Sequence, residues 1–122
     1  MLTGAAPISA EVVDFLRIAF GAILIEGYGQ TETAAAISVT DIHDFQSGHN
    51  GVPLPCCEVK LLDVPSMGYT SQDKPYPRGE ICLRGHNVFK GYYKLPEKTA
   101  ETIDAAGWCH TGDVLFSILV GG

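Results

Sequence analysis

The sequence predicts an α/β chain, in which part of an α/β subdomain with a parallel sheet is followed by a β-rich, barrel-like subdomain. Three observations predict this class. Apolar residues recur at helical spacing in 9–20, residues 22–25 form a short and uniformly apolar run, and apolar and polar residues alternate in 58–64 and 79–85. With 122 residues, of which 46% are hydrophobic, the chain can build one hydrophobic core at most.

The first half of the chain predicts a helix that leads into a buried strand. Ser9 can cap the helix, and Gly21 follows its last residue. The run at 22–25 is typical of a strand that is buried on both faces of a parallel sheet. The polar, glycine-rich residues 26–32 come next, so we predict a turn there, at the carboxyl end of the strand, where open α/β sheets bind ligands.

The second half predicts a small antiparallel sheet or barrel. Residues 51–55 form a stiff, proline-containing connector, and 66–78 form a loop between the two alternating strands. Pro96 suits the first turn of a short helix that continues through 98–105 and ends at Gly107. We therefore divide the chain into the end of an α/β subdomain at 1–50, a β-rich subdomain with one short helix at 51–114, and an atypical apolar tail at 115–122.

Charge and composition exclude several classes of function. Eight basic and 14 acidic side chains give a formal net charge of 8 − 14 = −6, which excludes nucleic-acid binding through bulk positive charge. No apolar run approaches the roughly 20 residues of a membrane-spanning helix, so we predict no membrane crossing. The four cysteines lack the spacing of a zinc site and follow nothing that resembles a secretory signal, so we expect reduced thiols in an intracellular compartment.

The richest candidate for a site is EGYGQTE, at 26–32. Glycines such as Gly29 let the backbone approach a phosphate, the Thr31 hydroxyl can donate to a phosphoryl oxygen, and the Glu32 carboxylate can hold the Mg²⁺ that neutralises the phosphate. The alternative is an ordinary strand-to-helix turn, with Thr31 or Glu32 as the first residues of a helix. Composition alone does not decide between the two.

Two further segments, at 107–113 and 4–7, do not indicate a function when each is considered alone. Residues 107–113, GWCHTGD, place an aromatic ring, a histidine and Asp113 in one turn, and a carboxylate there can accept hydrogen bonds from the two hydroxyls of a ribose. The alternative is a core tryptophan, a satisfied histidine and a plain turn. Residues 4–7, GAAP, can present backbone to a flat base or simply form a loop before the helix. The other histidines have no metal-ligand spacing: His43, His49 and His86.

Taken in this order, the segments resemble the adenylate-forming superfamily. Its three common blocks correspond to GAAPIS at 4–9, EGYGQTE at 26–32 and GWCHTGD at 107–113. Between them, four blocks are similar to the long-chain acyl-CoA synthetase (long-chain fatty acid-CoA ligase) branch, and they lie at 51–56, 58–64, 77–85 and 87–94. The resemblance runs from Leu2 to Val114, which is almost the whole chain.

The resemblance implies an enzyme that couples ATP cleavage to the activation of a carboxylate. A fatty acid attacks the α-phosphate of ATP to give acyl-AMP and pyrophosphate, and the thiol of coenzyme A then displaces AMP. It also implies roles for named residues, with Thr31 and Glu32 as the catalytic ones: Ala5, Ala6 and Pro7 line the adenine, Tyr28 packs on its face beside Gly29, Thr31 contacts the α-phosphate, Glu32 coordinates Mg²⁺, and Asp113 binds the ribose hydroxyls.

The family pattern also includes parts that this sequence lacks. Members carry an upstream loop rich in Ser, Thr and Gly that ends in Lys and cradles the β- and γ-phosphates. They also carry a downstream Asp-Arg hinge and a carboxyl-terminal domain with a further Lys. After Val114 the family continues with a Gly and a polar segment, whereas 115–122 are apolar here. We therefore expect an internal fragment of a ligase that is inactive by itself.

Two alternatives stay open at this stage, namely a non-catalytic adenylate-binding or regulatory module and another acyl- or aryl-CoA synthetase of the same superfamily. The expected partners are the small molecules ATP, coenzyme A and a long-chain fatty acid, with no nucleic acid. We expect membrane association only for a full-length enzyme and not through this segment. For that enzyme the resemblance implies the endoplasmic reticulum, the peroxisome or the mitochondrial outer membrane.

Overall fold

The computed structural model describes residues 1–116, which fold into two sheets that share a core. The first sheet has the strand order β1-β2-β3-β4, and the second has the order β5-β6-β7. The strands are β1 (Leu2–Thr3), β2 (Ile25–Tyr28), β3 (Ser38–Val39), β4 (Val52–Pro53), β5 (Cys57–Leu62), β6 (Arg78–Gly85) and β7 (Cys109–Phe116), and the helices are α1 (Ala10–Phe20) and α2 (Pro96–Thr102).

Helix α1 forms where the sequence predicts it. The Ser9 side chain accepts a hydrogen bond from the Val12 amide, which satisfies one of the unpaired donors of the first turn. Gly21 ends the helix in the left-handed conformation, with φ of 55°, and donates its amide to the Ile18 carbonyl. The predicted helix at 9–20 is therefore confirmed to within one residue.

Strand β2 differs from the prediction. The buried strand expected at 22–25 begins instead at Ile25 and runs through Tyr28, so it takes up the first half of the predicted glycine-rich turn. The reason is pairing on both sides, because β1 lies parallel to β2, with Leu2 opposite Ile25, while β3 lies antiparallel to it. Apolar character alone misplaced the strand, since the preceding Ile23 is 52% exposed.

The second sheet is antiparallel and open. The alternating segments form β5 and β6, with Val59 opposite Leu83, and this confirms the prediction of two strands there. Strand β7 pairs with the other edge of β6. Within residues 1–116 the sheet has three strands and does not close, so the small antiparallel sheet is confirmed and the alternative of a closed barrel is not. A closed barrel requires the two edge strands to pair with each other, and among the described residues β5 and β7 do not pair.

The predicted turn at 107–113 is the start of β7 with a bulge in it. His110 lies opposite Cys82 and Val114 lies opposite Glu80, so three residues of β7 oppose a single residue of β6. Those three residues are Thr111, Gly112 and Asp113. Gly112 has φ of 74°, which a glycine adopts without strain. Bulges of this kind redirect side chains near functional sites.

The core lies between the two sheets. Ile37, Leu83 and Cys109 are buried there, and Tyr28 and Val59 pack against them. These residues come from both predicted subdomains. Their burial removes apolar surface of both sheets from water and so favours the packing of the two sheets.

The carboxyl-terminal elements depart from the prediction in detail. Helix α2 ends at Thr102, before the predicted 98–105 is complete. Leu115 and Phe116 of the predicted apolar tail pair with β6 through their backbones, and the rest of that tail, 117–122, lies outside the described residues. No helix in the described part of the chain is both long and apolar enough to cross a membrane.

Candidate adenylate site

Two open cavities flank the carboxyl end of β2. Cavity A, of about 470 Å³, lies between the loop at 4–7, residues 48–50 and Asp113. Cavity B, of about 770 Å³, lies on the side of Thr31 and Glu32. The two cavities share part of their lining, namely Thr3, Gly4, Ala5, Gly27, Tyr28 and Gly29.

Every site residue predicted from the sequence lines one or both cavities. Ala6, Pro7 and Asp113 line cavity A, and Thr31 and Glu32 line cavity B. The residues common to both are Ala5, Tyr28 and Gly29. The fold thus brings three segments that are distant in the sequence to one end of one strand.

Small residues are required at the shared rim. A Cβ on Gly4 would lie 2.9 Å from the Gly27 carbonyl oxygen, and a Cβ on Gly29 would lie 2.4 Å from the carbonyl oxygen of Ala35. Ala5 adopts a left-handed backbone with φ of 68°. Strained backbone of this kind concentrates at functional sites, where the surrounding structure holds it in place.

The loop at 29–36 is tied together by its own side chains. The Gln30 amide donates to Thr33 Oγ1 at 3.1 Å, and that hydroxyl donates to the Gln30 carbonyl at 2.9 Å. Ala34 and Ala35 follow with φ of 52° and 72°. Two consecutive left-handed alanines are costly, at about 1–3 kcal/mol each, so the packing around the loop must determine its shape.

Tyr28 and Asp113 join the two sheets at cavity A. The Tyr28 hydroxyl donates to Asp113 Oδ2 at 2.7 Å. The pKa of Tyr28 is raised, first because the ring is partly buried and then because ionisation would place a second negative charge beside Asp113. The tyrosine therefore stays a neutral donor throughout the physiological range of pH.

The bulge in β7 sets the direction of Asp113. Thr111 Oγ1 donates to the Ile81 carbonyl at 2.9 Å and accepts from the Asp113 amide at 3.1 Å. Glu80 Oε1 accepts from the Gly112 amide at 3.0 Å. Each residue of the bulge is thereby hydrogen-bonded to β6 or to another residue of the bulge, so the backbone that carries the Asp113 carboxylate is fixed.

Glu32 is the acidic group of cavity B. Its Oε1 accepts a 2.6 Å hydrogen bond from the Tyr92 hydroxyl, and this bond is the main reason that the pKa of Glu32 is lowered. Thr31 beside it is exposed, and its hydroxyl makes no hydrogen bond to any of the described residues. An ionised carboxylate and an unengaged hydroxyl thus face the same cavity, and both groups suit a phosphate with its magnesium ion.

The sequence analysis assigned no role to Glu26, but its burial and its unpartnered carboxylate oxygen make it a candidate site residue. Glu26 lines cavity A, is 5% exposed, and holds a buried Oε1 without a hydrogen-bond partner among the described residues. A buried acceptor without a donor is rare in proteins and indicates a ligand or water. In the sequence, Glu26 is marked by its position directly after an apolar run.

Tyr92 was also missed as a site residue, because it lies 60 residues from Glu32 in the chain.

One further cluster combines metal-ligand types. Within the described residues, Glu80, Cys82 and His110 place one potential ligand atom each within 4.8 Å of one another. Their atoms are already hydrogen-bonded, with His110 Nδ1 at 3.2 Å from Glu80 Oε2 and at 3.5 Å from Cys82 Sγ. Burial raises the pKa of the Cys82 thiol to about 11. The hydrogen bonds of Glu80 to His110 and to the Gly112 amide also tie this cluster to the bulge in β7.

Comparison with known proteins points to one class. Residues 1–93 match the family described as AMP-binding enzyme. Long chain acyl-CoA synthetase 7, peroxisomal, of Arabidopsis thaliana is 60% identical over 114 residues, which cover 93% of this chain and 16% of that protein. Long-chain-fatty-acid--CoA ligase 1 of Homo sapiens is 51% identical over the same length, again with 93% and 16% covered. The chain thus spans about one sixth of the length of these relatives.

Solved structures agree in fold. The A domain of carboxylic acid reductase from Segniliparus rugosus, solved with AMP and a co-purified carboxylic acid, superposes with a TM-score of 0.79 at 36% identity, over 97% of this chain and 17% of that one. ATP-bound MatB from Rhodopseudomonas palustris superposes with a TM-score of 0.75 at 31% identity, over 93% of this chain and 22% of that one.

Proposed function

The chain belongs to the AMP-binding enzyme family, and from that membership we propose that it forms the adenylate-binding part of an ATP-dependent long-chain fatty acid-CoA ligase. One observation carries the proposal. All of the residues that the sequence suggests for adenine, ribose, phosphate and metal lie around the end of β2, in two adjoining cavities. A chance set of motifs would scatter over the surface.

In this proposal cavity A binds the nucleoside. Ala5, Ala6 and Pro7 form a thin wall for the base, and the Tyr28 ring covers its face. The unpartnered Oε1 of Glu26 accepts a hydrogen bond from the exocyclic amine of adenine. Asp113 accepts hydrogen bonds from the ribose hydroxyls through the oxygens that its bond with Tyr28 leaves available.

Cavity B binds the reacting groups. Thr31 donates to an oxygen of the α-phosphate, and Gly29 lets the phosphate approach the backbone. The ionised Glu32 carboxylate fits a magnesium ion, which favours oxygen ligands from one or two carboxylates together with phosphates. When bound, the ion would neutralise charge that accumulates on phosphorus.

The proposed reaction has two steps. A fatty-acid carboxylate oxygen bonds to the α-phosphorus while the bond to pyrophosphate breaks. The thiol of coenzyme A then loses its proton to solvent as its sulfur bonds to the acyl carbon and the bond from that carbon to AMP breaks. The residues described here hold the adenylate during both steps and stabilise the developing negative charge with the Thr31 hydroxyl. No binding residue for coenzyme A is proposed within 1–116.

Domain division, location and partners belong to the same proposal. We propose 1–50 as the end of the nucleotide-binding subdomain, 51–114 as the β-rich subdomain and 115–122 as a tail. Two elements cross these boundaries, because β4 pairs with β3 of the first sheet and β7 extends to Phe116. The names of two Arabidopsis thaliana relatives include the word peroxisomal, and this supports the peroxisome as one of three proposed locations, beside the endoplasmic reticulum and the mitochondrial outer membrane. We propose membrane association only for the protein that carries this chain, and not through this segment.

A graft tests the function. Residues 1–114 would replace the matching segment of the Arabidopsis thaliana relative, and the chimera would be assayed for oleoyl-CoA formation from ATP, oleate and coenzyme A. We expect activity within about tenfold of the parent, and its loss when Asp113→Ala is added. A folded chimera that binds AMP but forms no oleoyl-CoA would contradict the proposal. The 122 residues assayed alone should form none, because they span about one sixth of the relatives.

A further inference from the structure

A second segment of the chain, at 87–92, is hydrogen-bonded to the loop at 29–36. Asn87 Nδ2 donates to the Ala36 carbonyl at 2.8 Å, and the Phe89 amide donates to the Glu32 carbonyl at 2.8 Å. These bonds hold the middle residue of the three-residue helical turn Thr31–Thr33 and the residue that follows the two left-handed alanines. The strained loop therefore owes its shape partly to residues more than 50 positions later in the chain.

Tyr92, in the same segment, is hydrogen-bonded to the side chain of Glu32. Its hydroxyl donates to Glu32 Oε1 at 2.6 Å, and its own amide donates to Thr99 Oγ1 at 2.9 Å. The ring packs edge-to-face on Phe89, with centroids 4.8 Å apart. Backbone and ring are thus both fixed, so the phenol points at the carboxylate from a rigid base.

We propose that Tyr92 is a positioning residue for the magnesium-binding carboxylate of Glu32. The inference rests on the proposed function, because that function gives Glu32 its ion. Tyr92 lines neither cavity, and its hydroxyl is hydrogen-bonded to Glu32, so the hydroxyl acts on cavity B through that side chain. Its bond engages Oε1 of a residue that lines cavity B.

The hydrogen bond from Tyr92 affects the orientation of the Glu32 carboxylate more than its charge. An unperturbed glutamate, with a pKa of about 4.3, is already ionised at neutral pH, so a further decrease in pKa adds almost no negative charge there. A free carboxylate, in contrast, samples several rotamers, and magnesium demands near-ideal ligand geometry. The phenol selects one rotamer before the ion arrives, and such preorganisation strengthens binding.

The neighbouring tyrosine supplies a matched control. Tyr93 is 85% exposed and its ring contacts Lys94, not Glu32. Tyr92→Phe and Tyr93→Phe each remove one hydroxyl and leave the ring in place. The 122-residue chain would be titrated with Mn²⁺ in the presence of AMP, and the paramagnetic broadening of the Glu32 carboxyl ¹³C signal would be followed.

We expect Tyr92→Phe to need about fivefold more Mn²⁺ for the same broadening, and Tyr93→Phe to match the unsubstituted chain. The carboxyl pKa of Glu32 should rise in Tyr92→Phe only. In a reciprocal variant, Glu32→Gln should lower the phenol pKa of Tyr92, because that pKa is raised mainly by its bond to Glu32. The reciprocal measurement keeps the test valid even if Tyr92→Phe folds poorly.

Affinity for AMP without any cation separates the possible failures. If Tyr92→Phe leaves the Mn²⁺ response unchanged, or if Mn²⁺ does not broaden Glu32 at all, the inference is overturned. An equal loss of cation-free AMP affinity in Tyr92→Phe would also overturn it, since Tyr92 would then support the whole loop. If the unsubstituted chain binds no AMP but Glu32 still responds to Mn²⁺ through Tyr92, the proposed function fails and the positioning role stands.

Discussion

Tyr28 and Asp113, which lie 85 positions apart in the sequence, meet through a 2.7 Å hydrogen bond at the edge of cavity A. The bond joins the end of β2 in the first sheet to the bulge of β7 in the second. A ring suited to a base and a carboxylate suited to a ribose are thereby held side by side. The spacing between the two halves of the proposed nucleoside site thus depends on how the two sheets pack.

Removal of the Asp113 charge should weaken nucleotide binding. Asp113→Asn keeps the size of the side chain but loses the charge-assisted hydrogen bonds to the ribose, so we expect AMP affinity to fall about tenfold or more. Isothermal titration calorimetry would measure it. Glu101→Gln is the control, because Glu101 is exposed, lines neither cavity, and carries the same charge change. Equal losses in both variants would indicate a long-range effect of charge rather than a contact.

Glu26 should discriminate between bases. Its buried Oε1 can accept from the 6-amino group of AMP, whereas the 6-oxo group of IMP would face it as a second acceptor. We expect AMP to bind about tenfold more tightly than IMP, and Glu26→Gln, which can also donate, to reduce that preference. Competition binding with both nucleotides would measure the ratio. A preference unchanged in Glu26→Gln would place the base elsewhere.

Gly29 should tolerate no side chain. A Cβ at Gly29 would lie 2.4 Å from the backbone oxygen of Ala35, so Gly29→Ala must displace the loop and should cost about 1–3 kcal/mol in the free energy of unfolding. At Gly27 the nearest atoms to such a Cβ are 3.8 Å away, which is ordinary contact. Gly27→Ala should therefore stay close to the unsubstituted chain in urea unfolding followed by the single tryptophan, Trp108. Similar midpoints for both variants would contradict the loop geometry.

The four cysteines should differ sharply in reactivity. Cys56 is exposed, Cys57 is intermediate, and Cys82 and Cys109 are buried. Burial raises the pKa of the last three, to about 11 for Cys82, so little thiolate forms there at pH 8. Iodoacetamide followed by mass spectrometry should find Cys56 modified first and Cys82 and Cys109 protected until urea is added. Rapid labelling of Cys82 at pH 8 would show that the second sheet opens.

Asp104 should contribute to stability in a pH-dependent way. It accepts hydrogen bonds from the amides of Trp108 and Ala106, at 2.8 and 2.9 Å, and these bonds lower its pKa in the folded chain. A lowered folded pKa gives stability that is full above the unfolded value of about 4 and is lost as pH falls through the folded value. Asp104→Asn should therefore lower the urea midpoint more at pH 7 than at pH 3. An equal shift at both pH values would assign the effect to packing.

The candidate site could be predicted from the sequence because its short motifs, taken in order, resemble those of the adenylate-forming superfamily. By itself EGYGQTE left an ordinary strand-to-helix turn open as the alternative to a phosphate and cation site. Helix α1 was predictable for a similar reason, since its cap and its apolar spacing lie within one segment.

Pairing between distant strands was not predictable in the same way. The start of β2 at Ile25 depends on β1 and β3, and the bulge at Thr111, Gly112 and Asp113 depends on the register between β6 and β7. A local window contains neither partner, so the apolar run misplaced the first element and the glycine suggested a turn for the second.

The amino-acid sequence by itself determined which chemical groups are available to the proposed nucleotide site: the small loop at 4–7, the Thr31 hydroxyl and the carboxylates of Glu32 and Asp113. The tertiary structure alone decided their arrangement, and it added Glu26 as a buried unpaired acceptor and Tyr92 as a support for Glu32. The physical reason is that burial and hydrogen bonding are properties of neighbours in space. Those neighbours lie up to 85 residues apart and meet only when the two sheets pack.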